Sequence, residues 1–342
     1  MTDLSTFEPR RILVCQQRQL GDVLLTTPVL HLLKQRFPQA EIHLFTEAKC
    51  EPLLRHDPNI SRFHLVDKKL GFFGQLAFYR QVAAHGFDMV LNLQNLPRCR
   101  MMTLFSRAPV RLSMKTGTWR DWFYTHTVAE QKGYAAMSKV SLLKDFGIVW
   151  NGEAPRIFFT PEEEAEAAHI LAECGLREGE KLVTIDATHR RPLKRWPLPN
   201  FAELIGMMAR HDPSFRFMLL RGPGEDSDVE ALRQLCPVPE RVFFPQRLPD
   251  IRLSAACIKK AVIHIGNGSA PQHMAVSVDT PSLIIPGPEG PWWTYPGPMH
   301  GEVVPDLPCH PCRRRECADW SCMKLVSPQM VFERALALLE QR

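Results

Sequence analysis

Gln19-Leu20-Gly21-Asp22-Val23 stands a few residues past the apolar run Ile12-Leu13-Val14-Cys15 and sets a carboxylate where a first β-strand gives way to a helix. Ligands of open α/β sheets bind outside the carboxyl ends of the strands, so an acid at that exit is placed to act on a bound molecule. A Gly-Asp pair there also serves as a plain turn with a helix-capping carboxylate. Its company favours the first use. Thr26-Thr27-Pro28 and an amphipathic run to Phe37 follow Asp22, and a second glycine-rich turn, Ile265-Gly266-Asn267-Gly268-Ser269-Ala270-Pro271-Gln272-His273, follows another strand far along the chain. Thr27-Pro28 reads as an N-cap with proline in the first helical position, which leaves Gly21-Asp22 in the turn ahead of the helix.

The same alternation continues outward. Strand-like runs at 11–15, 41–45, 63–66 and 89–93 are separated by helix-length segments at 29–37, around 48–54 and at 72–85, which predicts a parallel sheet with crossover helices. Asn151-Gly152-Glu153-Ala154-Pro155 reads as a linker. A second series then opens at Thr160-Pro161-Glu162-Glu163, a threonine cap with an N1 proline and a capping-box glutamate. Strands at 182–185, 217–220, 242–244, 261–265 and 282–285 alternate with helices at 201–209, 228–235 and 253–259, and Ser327-Pro328 caps a last helix at 331–339. The expected architecture is α/β, with two Rossmann-like doubly wound domains at 1–153 and 154–325 and a terminal segment at 326–342. A cleft between two such domains is a standard place for a ligand.

Length and composition fit this division, since 342 residues are long for one core and comfortable for two. With 45% hydrophobic and 23% charged residues the chain has the composition of a folded protein rather than a disordered one. No apolar run approaches the length of a membrane span, and Met1-Thr2-Asp3-Leu4-Ser5 lacks the basic and apolar regions of a signal peptide, so the chain reads as cytoplasmic. A net charge of +5 is too small to argue for a nucleic-acid partner but suits an anionic substrate or loose attraction to an anionic membrane surface.

Gly-x-Gly-x-x-Gly is missing after the first strand, and no Walker lysine motif occurs, which disfavours a dinucleotide enzyme and a phosphate-loop enzyme. The stretch Asp186-Ala187-Thr188-His189-Arg190-Arg191-Pro192-Leu193-Lys194-Arg195-Trp196-Pro197 leaves a strand at its carboxyl end. It offers a hydroxyl, cations and backbone N–H groups for a diphosphate held without a metal, or else forms a basic surface loop. Gly266 to His273 follows similar logic: small residues let a ligand approach the backbone, and Pro271 marks a helix whose first N–H groups are free. His273, one turn in, either touches a phosphate or is a satisfied structural residue. Cys309, Cys312, Cys317 and Cys322 form Cys-x2-Cys-x4-Cys-x4-Cys, a spacing that suits a structural tetrathiolate zinc, with Arg313 to Arg315 lowering the thiol pKa values. Reduced thiols or an adventitious disulfide are the alternatives.

These residues together resemble glycosyltransferase family 9, the bacterial ADP-heptose:lipopolysaccharide heptosyltransferases. The likeness runs through Arg11-Ile12-Leu13-Val14, Leu20-Gly21-Asp22-Val23, Thr26-Thr27-Pro28-Val29-Leu30, Phe87-Asp88-Met89-Val90-Leu91-Asn92-Leu93-Gln94, Lys194-Arg195-Trp196-Pro197, Ile265-Gly266-Asn267, Pro271-Gln272-His273 and the cysteine array. It implies a glycosyltransferase-B fold with the acceptor held largely by the N-terminal domain and the nucleotide sugar by the C-terminal one. It also implies a last helix that crosses back to the first domain. By the same resemblance Asp22 matches the proposed general base, Thr188 and Lys194 the diphosphate contacts, Glu225 a ribose contact, and Gly268, Ser269, Ala270 and His273 the donor loop. No cofactor is then required for catalysis.

One departure bears on the donor. The resemblance leads one to expect Asn-Asp-[Ser/Thr]-Gly-Pro-x-His where the chain reads Asn267-Gly268-Ser269-Ala270-Pro271-Gln272-His273. A carboxylate that grips sugar hydroxyls is a specificity device, and here it is a glycine. The expected function is an inverting glycosyltransferase taking heptose from ADP-heptose to an anionic glycolipid core at the cytoplasmic membrane face. Two alternatives are a relative using another nucleotide sugar and a non-catalytic nucleotide- or glycan-binding relic.

Overall fold

The computed structural model describes residues 3–341, which divide into two compact units meeting between Phe158 and Phe159. The expected boundary lay five residues earlier, at 153/154; residues 154–158 belong to the first unit.

The first unit carries strands β1 (Arg11–Cys15), β2 (Glu41–Glu47), β3 (Arg62–Val66), β4 (Met89–Asn92), β5 (Val110–Met114) and β6 (His126–Val128). Its helices are α1 (Leu20–Leu24), α2 (Thr27–Arg36), α3 (Glu51–Leu54), α4 (Phe72–Ala83), α5 (Pro97–Ser106) and α6 (Ala135–Val140). All pairings are parallel, in the order β3-β2-β1-β4-β5-β6. Successive side chains of a strand point to opposite faces, so Leu13, Cys15, Phe45, Val66 and Val90 build one core with Tyr79, Val82, Cys99 and Met102. Ile12, Val14, Ile42 and Leu44 lie on the other face, also fully buried. Burial on both faces explains why β1 and β4 read as continuous apolar runs.

The second unit repeats the plan. Its helices are α7 (Pro161–Glu173), α8 (Leu198–His211), α9 (Asp226–Leu235), α10 (Ile251–Lys259), α11 (Ala270–Ser277), α12 (Ser321–Lys324) and α13 (Pro328–Leu339). Its strands β7 (Lys181–Asp186), β8 (Phe215–Leu219), β9 (Val242–Phe243), β10 (Ile263–Gly266), β11 (Ser282–Ile284) and β12 (His300–Glu302) run parallel in the order β12-β11-β10-β7-β8-β9. The α7 capping box forms as read: Thr160 Oγ1 accepts from Glu163 N–H, and Glu163 reaches back to the Thr160 N–H. Val331, Ala335 and Leu338 of α13, the helix that the resemblance sends back to the first domain, join the core of the second unit beside Val183, Ile265 and Leu283.

In both sheets the order reverses between two central neighbours, β1 and β4 in the first and β7 and β10 in the second. At such a switch point the loops leave in opposite directions and open a crevice at the carboxyl ends. Asp22 follows β1; the loop 187–197 follows β7, and the glycine turn follows β10.

Candidate active site

Asp22 sits in a short helix rather than a turn. It is the third residue of α1, and its Oδ2 accepts from the Gln19 N–H at 3.2 Å, closing a capping box with the Gln19 side chain. The five-residue helix escaped sequence reading because Thr27-Pro28 supplies a second helix start directly behind it. Asp22 remains partly exposed, whereas its flanking Gly21 and Val23 are buried. Lys139, on α6, is the basic neighbour that sequence reasoning missed. Burial lowers its pKa, the Asp22 carboxylate acts against that, and its Nζ donates to Gln16 Oε1 at 2.6 Å.

The second unit gathers the remaining residues at the β7/β10 switch point. Lys194, only 7% exposed, donates from Nζ to the carbonyl oxygen of Gly268 at 3.2 Å. Burial lowers its pKa, opposed by Glu289 and Asp186 and helped by Arg191. Thr188 Oγ1 donates to Glu225 Oε2 at 2.7 Å, and the same carboxylate oxygen accepts from the Gly222 N–H at 2.7 Å. Asn267 locks the two loops together, its Nδ2 donating to Ala187 O at 2.8 Å and its Oδ1 accepting from the Trp196 N–H at 3.0 Å. Trp196 is buried and donates from Nε1 to Val326 O at 2.9 Å, so Lys194-Arg195-Trp196-Pro197 owes part of its character to packing.

Beneath this loop pair lies Asp186, the last residue of β7. Ser269 Oγ donates to its Oδ2, and Thr188 Oγ1 lies 3.5 Å from its Oδ1. Burial pushes its carboxyl up to about 7; the Ser269 hydrogen bond pulls down and the Glu225 charge pushes further up. Gly266 is required beside it, because a Cβ there would meet Asp186 Cβ at 2.7 Å and its carbonyl oxygen at 2.9 Å. Ser269 spends its hydroxyl on Asp186 and does not cap α11, which leaves the first-turn N–H groups without a side-chain acceptor. His273 is buried with Nδ1 unpartnered and its ring 5.9 Å from that of Trp293; burial and then Lys194 lower its pKa to about 4, so the ring is neutral at pH 7.

The site thus presents one buried ammonium, an uncapped helix start and a carboxylate–hydroxyl chain at strand ends, a set suited to a phosphorylated, hydroxyl-bearing ligand. The sequence profile of glycosyltransferase family 9 (heptosyltransferase) matches residues 75–321. The chain belongs to this family. Lipopolysaccharide heptosyltransferase 3 of Escherichia coli is 27% identical over 285 residues, covering 78% of this chain and 80% of that protein. Among solved structures, the family 9 glycosyltransferase of Veillonella parvula DSM 2008 superposes with a TM-score of 0.85 at 23% identity, covering 97% of this chain and 98% of that one. The ADP-heptose lps heptosyltransferase II of E. coli gives 0.77 at 18% identity, over 97% and 99%. These likenesses establish the glycosyltransferase-B fold.

The cysteine array of this family 9 glycosyltransferase lies between β12 and the end of α12. Cys309, Cys312, Cys317 and Cys322 line one small pocket with Leu193, Pro288, His310 and Trp320. All four are free thiols, and the Trp320 N–H donates to Cys317 Sγ at 3.4 Å. The expected help from the arginines is not seen at Cys322, whose thiol is pushed up to about 11 by burial and then by the other three cysteines. Arg313 instead lies over the Trp292 ring at 3.9 Å. The donor set fits a tetrathiolate ion, although no three sulfurs come within 4.8 Å of one another among the described residues.

Proposed function

We propose that this glycosyltransferase moves heptose from ADP-heptose to a lipopolysaccharide core acceptor with inversion at the anomeric carbon. The Lys194–Gly268 pairing above the Asp186–Ser269 contact carries the reading, because it sets a cation and free helix N–H groups where a departing diphosphate needs them. Asp22 takes the proton of the acceptor hydroxyl as that oxygen bonds to the anomeric carbon. The bond from that carbon to the diphosphate oxygen breaks, and ADP leaves with the electron pair, stabilised by Lys194 and the α11 N–H groups. Thr188 bears on the diphosphate and Glu225 on the ribose. On this scheme the transfer itself needs no metal. The names of the relatives support donor and acceptor class.

An acceptor at the inner membrane face suits the first unit. No helix among the described residues is long and apolar enough to cross a membrane. Phe72 and Phe73 at the start of α4 are 72% and 82% exposed, and Trp119 and Trp122 are 68% and 75% exposed. Lys68, Lys69 and Arg120 neighbour them in sequence, a mix of aromatic and basic groups suited to an anionic lipid surface.

Gly268 favours one second reading, a different nucleotide sugar. A panel of ADP-, UDP-, GDP- and CDP-sugars decides, read by thermal stabilisation and product release. A true donor at a hundred times its Kd adds ~2.7 kcal/mol of stability. Binding without transfer or hydrolysis of any donor would leave a nucleotide-binding relic. The four cysteines, on the same reading, hold a structural zinc; elemental analysis of chelator-free protein should find it, and loss of the ion in Cys312→Ser would place it there.

A further inference from the structure

We infer that His43, His64 and His85 form a metal site of their own, away from the transfer centre, for a divalent late first-row ion such as zinc. Equal spacing in sequence gives no recognisable motif; topology brings the three together. His43 on β2 pairs in register with Leu13, and His64 on β3 pairs with Phe45, so both rings lie on the face that Leu13 and Phe45 share. His85 follows the end of α4, and its carbonyl is held by Arg11 Nη1 at 2.5 Å. One ligand atom from each histidine lies within 4.8 Å of the other two.

The spacing suits a shared ion. His43 Nδ1 and His64 Nε2 are 2.9 Å apart. Two imidazole nitrogens on a tetrahedral zinc, at ~2.0–2.1 Å each, stand about 3.3 Å apart, so this pair needs to open by only a few tenths of an ångström. His43 Nε2 lies 3.8 Å from Glu41 Oε2. A carboxylate behind the far nitrogen of a ligand histidine orients the ring and raises its basicity. Phe87 closes the apolar side, its ring edge-on to His43 at 5.2 Å and to His64 at 6.1 Å. His43 and His64 are buried while His85 is partly exposed, which leaves an entry path and a fourth position for water.

Protonation does not stand in the way. Burial holds His43 at about 4 and His64 at about 3, so both rings are neutral, as ligands must be, at pH 7. Arg11 and Arg62 oppose a cation here, and Glu41 offsets them. Carboxylate, carbonyl or water ligands would point to magnesium or calcium; three imidazoles point to zinc, nickel, copper or ferrous iron. Glu41 and His43 lie toward the amino end of β2, whereas Asp22 follows the carboxyl end of β1, so the ion would clamp edge strand β3 and the end of α4 to the sheet rather than act on substrate.

The test is cobalt and zinc titration of the chelator-stripped full chain, in parent, His64→Phe and His85→Asn. Cobalt in the parent should give, beside any thiolate charge transfer from the cysteine array, ligand-field bands of a nitrogen-ligated ion for one further equivalent, which His64→Phe lacks and His85→Asn holds more weakly. Zinc should raise the parent's Tm, and His85→Asn, chosen because its ring is partly exposed, should fold and bind that equivalent at least about tenfold more weakly. Equal stoichiometry and identical cobalt spectra in parent and His85→Asn would overturn the site and leave a hydrogen-bonded histidine cluster. A zinc-induced Tm rise that vanishes only in Cys312→Ser would overturn it equally.

Discussion

Lys194 Nζ donates to the carbonyl oxygen of Gly268 at 3.2 Å, which ties the basic loop after β7 to the glycine turn after β10 across the switch point of the second sheet. An ammonium that is 7% exposed and bonded to one neutral carbonyl has donor capacity left for an anion. Lys194→Ala should therefore weaken ADP binding by ~1.5–3 kcal/mol, or about ten- to a hundredfold in Kd. Calorimetric titration checks it, and unchanged affinity would show that the lysine only braces the turn.

Asp22→Asn separates a base from a cap. Asparagine keeps an oxygen that can accept from the Gln19 N–H, so α1 should survive and the melting temperature should stay within a degree or two of the parent. Transfer should fall by about 10² to 10⁴, the range for a positioned general base, with donor affinity nearly intact. A variant that unfolds early or keeps most of its rate would make Asp22 structural.

The frame of both domains was legible because strands buried on both faces advertise themselves: residues 11–15 were read to the residue, and 89–93 within one. What was missed lacks that signature. Arg111 and Ser113 interrupt β5, β6 and β12 are three residues long, and α5 carries Arg98 and Arg100 within its period. At the site, Thr188, Lys194 and the donor loop were readable as loop chemistry at strand ends, whereas Glu225 entered through the family resemblance alone. Asp186, Lys139 and the histidine trio were not readable, because their meaning lies in partners tens of residues away. Asp186 reads as the polar end of a strand until Ser269 is seen to reach it from 83 positions on.

Asp186 also predicts a pH effect of definite sign. Its folded pKa of about 7 lies above the ordinary aspartate value of about 3.9, so between those limits the unfolded chain has released a proton that the native state keeps. Each step up in pH then favours the unfolded state; the contribution is full below about pH 4, is lost as pH rises toward 7, and changes no further above. Asp186→Asn removes this slope and keeps an acceptor for Ser269. The Tm of the variant minus that of the parent should grow between pH 5 and pH 8. A difference that is flat across that window would mean that Asp186 titrates normally.

Gly268→Asp tests the donor. Gly268 has φ of +62°, a region costly for most side chains but one that aspartate and asparagine enter more readily than other residues. A Cβ there would meet Ile284 Cδ1 at 3.6 Å, Pro286 Cα at 3.7 Å and Gln272 Oε1 at 3.8 Å, all ordinary contacts, so the first atom of the side chain fits and the cost of the substitution is the backbone's. The variant should therefore fold, and the restored acceptor should add ~0.5–3 kcal/mol of discrimination toward a donor with a matching hydroxyl. Measured side by side, kcat/KM for ADP-heptose should rise relative to other nucleotide sugars in Gly268→Asp, while the parent should use ADP-heptose poorly or spread its preference. If the parent already prefers ADP-heptose by a wide margin and the added carboxylate changes nothing or hurts, Ser269 or water supplies the contact and the glycine is neutral toward donor choice.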